Sequence, residues 1–280
     1  MTDKALTSPI GVIDSGIGGL TVARTLKDKM PREPLVFFGD TAHVPYGDKS
    51  SHSIRYYSSN LLSYLAGKYH CKCIVVACNT ASAIASREIQ YFGKKHDIPV
   101  FNVIDPVVES VVNDFDFQKV GVIGTKRTIS SRAYPNRIHK LSKDLKVVTR
   151  STPLLAPMIE EGFFNNNISQ TIINTYLSWP KFKNLDALIL GCTHYPYIKD
   201  EVKRYFGSSV RVLEGADIVA QKVRDRLANL ELLSSPDDLN GGNDKFLVSD
   251  FTTSFQRTSE IFFGKEVNLK EVRIWREGSA

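Results

Sequence analysis

The order of short apolar runs along the chain constrains the fold more than any other feature. "IGVIDSG" (10–16), "PLVFFGD" (34–40), "CIVVACNT" (73–80) and "PVFNVID" (99–105) are rich in β-branched and aromatic residues, and each ends in small or polar residues that open a loop. Helix-length stretches separate them. Strands alternating with helical spacers are the pattern of a parallel sheet covered by helices, so the chain is read as α/β.

The pattern then recurs. "KVGVIGT" (119–125), "LKVVTRST" (145–152), "ALILGCTH" (187–194) and "VRVLEG" (210–215) follow in the same order, with spacers such as "SQTIINTYLSW" between them. "GVIDS" at 11 and "GVIGT" at 121 lie 110 residues apart, Cys78 and Cys192 lie 114 apart, and Val103 and Val212 lie 109 apart. Three landmarks at nearly one spacing predict two similar, flavodoxin-like parallel-sheet lobes related by a pseudo-two-fold, with the site in the cleft between them. The tail, including "KFLVSD" and "VRIW", has no counterpart in the second set and is expected to return to the first lobe. The expected domains are therefore 1–102 plus 213–280, carrying Cys78, and 103–212, carrying Cys192. A chain of 280 residues suits that division, because single cores stop growing near ~250–300 residues.

In open parallel sheets ligands bind outside the carboxyl ends of the strands, where Cys78 and Cys192 both stand. A buried cysteine is often only a small hydrophobe, and Cys71 and Cys73, which lead into the third strand, are read that way. Cysteines at matched points of a repeat are a different case. If the lobes face each other, each gives one thiol to the shared cleft. One can then take a proton from a carbon while the other returns a proton to the opposite face, which inverts a stereocentre. A metal site would need something like a CxxC pair or an HExxH helix, and neither is present. A covalent Cys-His-Asp hydrolase needs one nucleophile rather than two matched ones. "GIGG" (16–19) lacks the lysine and the remaining glycines of a nucleotide loop.

Other classes are excluded more simply. No apolar run approaches the ~18–20 residues needed to cross a bilayer, and "MTDKALTSPI" lacks the apolar centre of a secretory signal, so the expectation is a cytoplasmic protein with no membrane partner. Four cysteines, two of them in "CKC", are too few and too oddly spaced for a disulfide framework. The net charge of +6 comes from scattered Lys and Arg with no basic block or nucleic-acid motif, which favours a solvated surface and a small-molecule substrate over nucleic acid.

"GVIDSGIGGLTV", "GDTAHVPYGDKS", "ACNTASA" and "LGCTHYP", taken together and in this order, closely resemble the glutamate racemases. These are cofactor-independent amino-acid racemases that make D-glutamate for bacterial peptidoglycan. The resemblance covers most of the chain. It implies Cys78 and Cys192 as the acid/base pair, Cys78 taking the proton from the D-enantiomer and Cys192 from the L-enantiomer. It places Asp14 beside the first thiol and His194 beside the second. Glu160 of "APMIEEG" matches a family acidic residue near the second thiol, with Glu161 beside it leaving the register open. "PYG" (Pro45, Tyr46, Gly47) resembles the family loop that holds a substrate carboxylate. Ser15, Asn79, Thr80, Thr125 and Thr193 supply short polar groups around the substrate, together with Asp14 and His194. No cofactor and no metal are implied, and the family associates as homodimers. Two alternatives stay open: a racemase of aspartate or another small acid in the same superfamily, where "GCTE" rather than "GCTH" is usual, and a non-catalytic two-lobe binding protein, against which the presence of both cysteines stands.

Overall fold

The computed structural model describes residues 6–113, 115–234 and 244–275. The first four apolar runs form β1 (Ile10–Asp14), β2 (Leu35–Gly39), β3 (Cys73–Val76) and β4 (Val100–Asn102); the second four form β5 (Lys119–Gly124), β6 (Lys146–Ser151), β7 (Ala187–Gly191) and β8 (Arg211–Glu214). All pairings are parallel, in two separate sheets. Every residue of β1, β3 and β7 is buried, which is why these strands read as unbroken apolar runs: helices cover both faces, so no residue alternates toward water.

The duplication is visible in strand order and in register. β2-β1-β3-β4 in the first sheet matches β6-β5-β7-β8 in the second. Ile10 pairs with both Leu35 and Cys73, as Val120 pairs with Val147 and Ala187. Cys78 and Cys192 therefore leave the sheets at equivalent points. The third landmark needs correction, since Val212 faces Leu188 as Val100 faces Ile74. Val212 thus answers to Val100 and not to Val103, which stands beyond the end of β4. Linear spacing could not detect this, because the connections in the two halves differ in length.

The tail adds β9 (Lys245–Val248) beside β2 and β10 (Leu269–Glu271) beside β9, bringing the first sheet to six strands. "VRIW" begins after β10, and its Val272 amide still donates to the Val248 carbonyl at 2.8 Å. All of β8 lies in the second sheet, so a division at 212/213 falls inside that strand. The helix Gly215–Asn229 then returns to the first lobe and packs on the helix Leu20–Lys29. One apolar core, including Leu20, Leu26, Leu190, Tyr195 and Val219, runs through both lobes, while the outer face of each sheet has a core of its own. The carboxyl ends of both sheets are thereby held close together.

Candidate active site

At the end of β3 the chain turns into the short helix Asn79–Ile84, and Cys78 is its N-cap. Its Sγ accepts from the Ala81 amide at 3.4 Å and donates to Ser15 Oγ at 3.3 Å. Burial, followed by the charge of Asp14, pushes this thiol up to about 12, with a smaller push from Cys192 and opposing pulls from Ser15 and the Ala81 amide. Asp14, at the end of β1, accepts from the Gly16 amide at 3.1 Å through Oδ2, while its buried Oδ1 has no hydrogen-bond partner. Burial raises the Asp14 carboxyl, and the charge of His194 works against that rise.

The second thiol has a different setting. Cys192 Sγ lies 3.5 Å from His194 Nδ1, and His194 Nε2 lies 2.8 Å from Glu160 Oε1. Burial alone would lower the imidazole pKa; bonds and charges from Cys192 and Glu160 overcome it and raise His194 well above its ordinary value. Of the two adjacent glutamates it is Glu160 that meets His194. Glu160 ends the helix Leu155–Glu160 and turns toward His194, while Glu161 is exposed. Phe262 packs edge-on against the His194 ring, with 5.3 Å between centroids.

Hydroxyls and amides cross between the lobes. Thr80 Oγ1 lies 2.9 Å from Thr125 Oγ1 and 3.1 Å from Thr128 Oγ1. Thr125 is also the N-cap of the helix Lys126–Ser130, accepting from the Thr128 amide. Tyr134 Oη donates to Asn79 Oδ1 at 2.8 Å, and Thr21 Oγ1 donates to the Thr193 carbonyl at 3.0 Å. Gly47 stands against Thr125, so the Pro45–Gly47 loop reaches the same region. Tyr46 is buried and donates to Asp40 at 2.7 Å, which commits its hydroxyl to the protein. Pro45 is exposed. A cavity of ≈ 20 Å³, lined in part by Asn79, Tyr134, Cys192 and Thr193, leaves room for about one water.

The structure thus gathers Asp14, Ser15, Cys78, Asn79 and Thr80 from one lobe against Thr125, Glu160, Cys192, Thr193 and His194 from the other. Sequence reasoning missed Thr128, Tyr134 and Thr21, which meet the site only through space. It also missed Asp40, although that residue lies in the quoted "GDTAHVPYG" stretch. All four cysteines are free and buried. Burial pushes Cys71 up to about 12 and raises Cys73, but both stand at the opposite end of β3 from Cys78. Among the described residues no group of three His, Cys, Asp or Glu side chains is placed to hold a metal ion.

One expected result follows from the Glu160 contact. Removing its charge with Glu160→Gln takes away a cause of the raised His194 pKa, so any activity that needs the imidazolium should lose it at lower pH. The alkaline limb of the pH–activity profile is expected to move down, with activity at its plateau reduced about tenfold. An unmoved limb would show that Glu160 does not tune His194.

Known proteins resemble the chain in sequence and in fold. Residues 10–223 match the family described as Asp/Glu/Hydantoin racemase. A glutamate racemase of Geobacter metallireducens is 39% identical over 255 residues, covering 91% of this chain and 92% of the relative. The crystal structure of glutamate racemase from Francisella tularensis subsp. tularensis in complex with D-glutamate superposes with a TM-score of 0.88 at 36% identity, covering 95% of this chain and 98% of that one. Glutamate racemase from Thermus thermophilus in complex with β-chloro-D-alanine gives a TM-score of 0.84 at 36% identity, covering 96% and 98%.

Proposed function

The chain belongs to the Asp/Glu/Hydantoin racemase family, and we propose on that premise that it interconverts L- and D-glutamate by passing the α-proton between Cys78 and Cys192. The observation that carries this reading is the equivalence of the two thiols, set at matched ends of β3 and β7, both buried, and near enough for Cys192 to act on Cys78 through its charge. The glutamate racemases aligned over nearly the whole chain support glutamate over aspartate.

Starting from D-glutamate, the Cys78 thiolate takes the proton from Cα, and the C–H electron pair moves into the α-carboxylate. The Cys192 thiol then gives its proton to the opposite face of Cα, leaving Cys78 as thiol and Cys192 as thiolate. L-glutamate runs the sequence backwards. The electrostatic partners divide the work: a carboxylate, Asp14, faces Cys78, and an imidazolium at His194 faces Cys192 as the counter-charge to its sulfur. The unpartnered Asp14 Oδ1 is the acceptor for the substrate ammonium, which also offsets the charge that keeps Cys78 protonated. The substrate carboxylates fall to the Thr80, Thr125 and Thr128 hydroxyls, Asn79, Thr193 and the Pro45–Gly47 loop, donors placed before charge develops.

Both thiols are buried and the cavity beside Cys192 is far smaller than glutamate, so the substrate enters when the lobes part. The contacts that break are Thr80–Thr125, Tyr134–Asn79 and Thr21–Thr193. No helix among the described residues is long and apolar enough to cross a membrane. The reading places the protein in the cytoplasm as a homodimer whose D-glutamate serves peptidoglycan synthesis.

The test is the optical signal of purified protein with each enantiomer of glutamate, and separately of aspartate, in D₂O without added cofactor. Loss of optical activity from both glutamate enantiomers, with deuterium at Cα of the product and aspartate slower by at least about 10²-fold, is expected. No change with glutamate would reject the assignment. Faster turnover of aspartate would favour the small-acid alternative, and binding without turnover the two-lobe binder.

A further inference from the structure

Asp40 follows β2 and is fully buried, with its amide on the Asp14 carbonyl at 3.0 Å. Four side chains from three stretches of the chain converge on its carboxylate. Oδ2 accepts from Tyr46 Oη at 2.7 Å, and Oδ1 accepts from Ser249 Oγ at 2.8 Å and from Trp275 Nε1 at 2.9 Å. His43 Nδ1 lies 3.0 Å from both oxygens. Tyr46 and His43 belong to the stretch between β2 and the helix Ser51–Tyr69, Ser249 follows β9, and Trp275 follows β10. His43 stacks on Tyr57 at 3.9 Å between centroids, and Trp275 closes edge-on over His43 at 4.7 Å. Ser249 Oγ also accepts from the Ala42 amide at 2.9 Å.

A buried carboxylate surrounded by donors fixes the directions of all of them, because each charge-assisted bond is short and any one left unmade is costly. Here the residues fixed are those that set the path of the chain from Thr41 to Gly47, and Gly47 stands on Thr125 across the cleft. Two of the four donors come from the tail, the part of the chain without a counterpart in the second lobe. At the equivalent place in that lobe Thr152, whose amide donates to the Gly124 carbonyl as Asp40's does to Asp14, has a hydroxyl partner in Tyr195 and, among the described residues, no tail strand beside it.

We propose that Asp40 is a positioning residue for the Pro45–Gly47 loop, and that the C-terminal tail, through Ser249 and Trp275, completes this arm of the substrate site. The proposal rests on the reading above that this loop receives a substrate carboxylate. Trp275→Phe keeps a ring and removes the Nε1–H, Tyr46→Phe removes one hydroxyl, and Asp40→Asn turns one acceptor into a donor facing donors. Steady-state kinetics with L-glutamate and amide exchange by mass spectrometry are measured on each variant of the full chain.

In Trp275→Phe and Tyr46→Phe, KM should rise five- to twentyfold with kcat within about threefold of the parent, and amides of residues 41–49 should exchange faster while those of 73–78 do not. Asp40→Asn is expected to show the larger change in the same direction; should it not fold, the two milder variants still decide. Unchanged KM and unchanged exchange in 41–49 would overturn the proposal, as would lowered thermal stability with KM intact, which is the mark of a merely structural cluster. A parent protein inactive on glutamate strikes the functional reading instead, and exchange in 41–49 then decides the role of Asp40 by itself.

Discussion

Cys78→Ser and Cys192→Ser are each expected to lower kcat/KM for racemisation by at least about 10³-fold, in both directions, with the fold intact. General acid–base transfer by a positioned group contributes ~10²–10⁴-fold. In the proposed mechanism neither thiol can be spared, because every turnover uses one as base and the other as acid. Serine keeps the size and the capping bond of Cys78 to the Ala81 amide but is far too weak an acid to form the needed anion. The isotopic signature of the parent protein sharpens the test. With two bases, early product formed in D₂O carries deuterium at Cα while unreacted substrate does not, since the returning proton comes from the thiol on the other face. Equal labelling of substrate and product would point to one base acting on both faces. A serine variant retaining more than about a tenth of the parent activity would remove that thiol from the reaction.

The matched setting of the thiols was legible in the sequence, because the repeat is written in apolar runs that tertiary packing demands. The strands are buried on both faces, so their composition is forced, and the residue that leaves each strand is fixed by register. What surrounds each thiol was less legible. Glu160 and Glu161 are adjacent in sequence, but on a helix of 3.6 residues per turn neighbours point about 100° apart, and only the packing of Leu155–Glu160 chooses between them. Thr128 and Tyr134 reach Thr80 and Asn79 from the other lobe, and Trp275 reaches Asp40 from far along the chain. No local pattern encodes such pairs. Tyr46 was read as part of a substrate loop from its motif, yet its hydroxyl is bonded to Asp40, a detail that a motif cannot show.

The electrostatic asymmetry of the site also escapes the repeat. Duplication would give equivalent surroundings, but Asp14 sits at the end of β1 where the second lobe has Gly124 at the end of β5, and the His194–Glu160 pair belongs to the second lobe alone. Two thiols at equivalent points of the repeat therefore have unlike neighbours, a carboxyl group beside one and an imidazole beside the other. A reaction that must run both ways across one carbon needs one sulfur protonated while the other is not. In the proposed mechanism the unlike neighbours bias which is which, and a substrate ammonium at Asp14 would reduce that bias on binding.

Gly18→Ala is expected to lower kcat/KM about 10²-fold with little change in thermal stability. Gly18 lies in "GIGG", which lacks the lysine and remaining glycines of a nucleotide loop, and the structure gives it another reason to be glycine. A Cβ there would meet His194 Cε1 and would lie 2.5 Å from Thr193 Oγ1 and 2.6 Å from His194 Nδ1, closer than real Cβ contacts come. The φ angle at Gly18 is not positive, so alanine brings no backbone strain there. The strain falls on the approach of the two lobes. Either His194 turns away from Cys192 or the lobes stay apart, and a displacement of about 1 Å at a reacting group can cost 10²-fold. Gly67→Ala serves as the control. Gly67 is exposed within the helix Ser51–Tyr69 with nothing near its Cβ position, and alanine there should raise stability by about 0.5–1 kcal/mol without touching activity. If Gly18→Ala keeps the parent kcat/KM, the close meeting of the β1 loop with Thr193 and His194 is no part of the catalytically competent state. If it loses stability as Gly67→Ala gains it, the contact belongs to the fold rather than to the closing of the site.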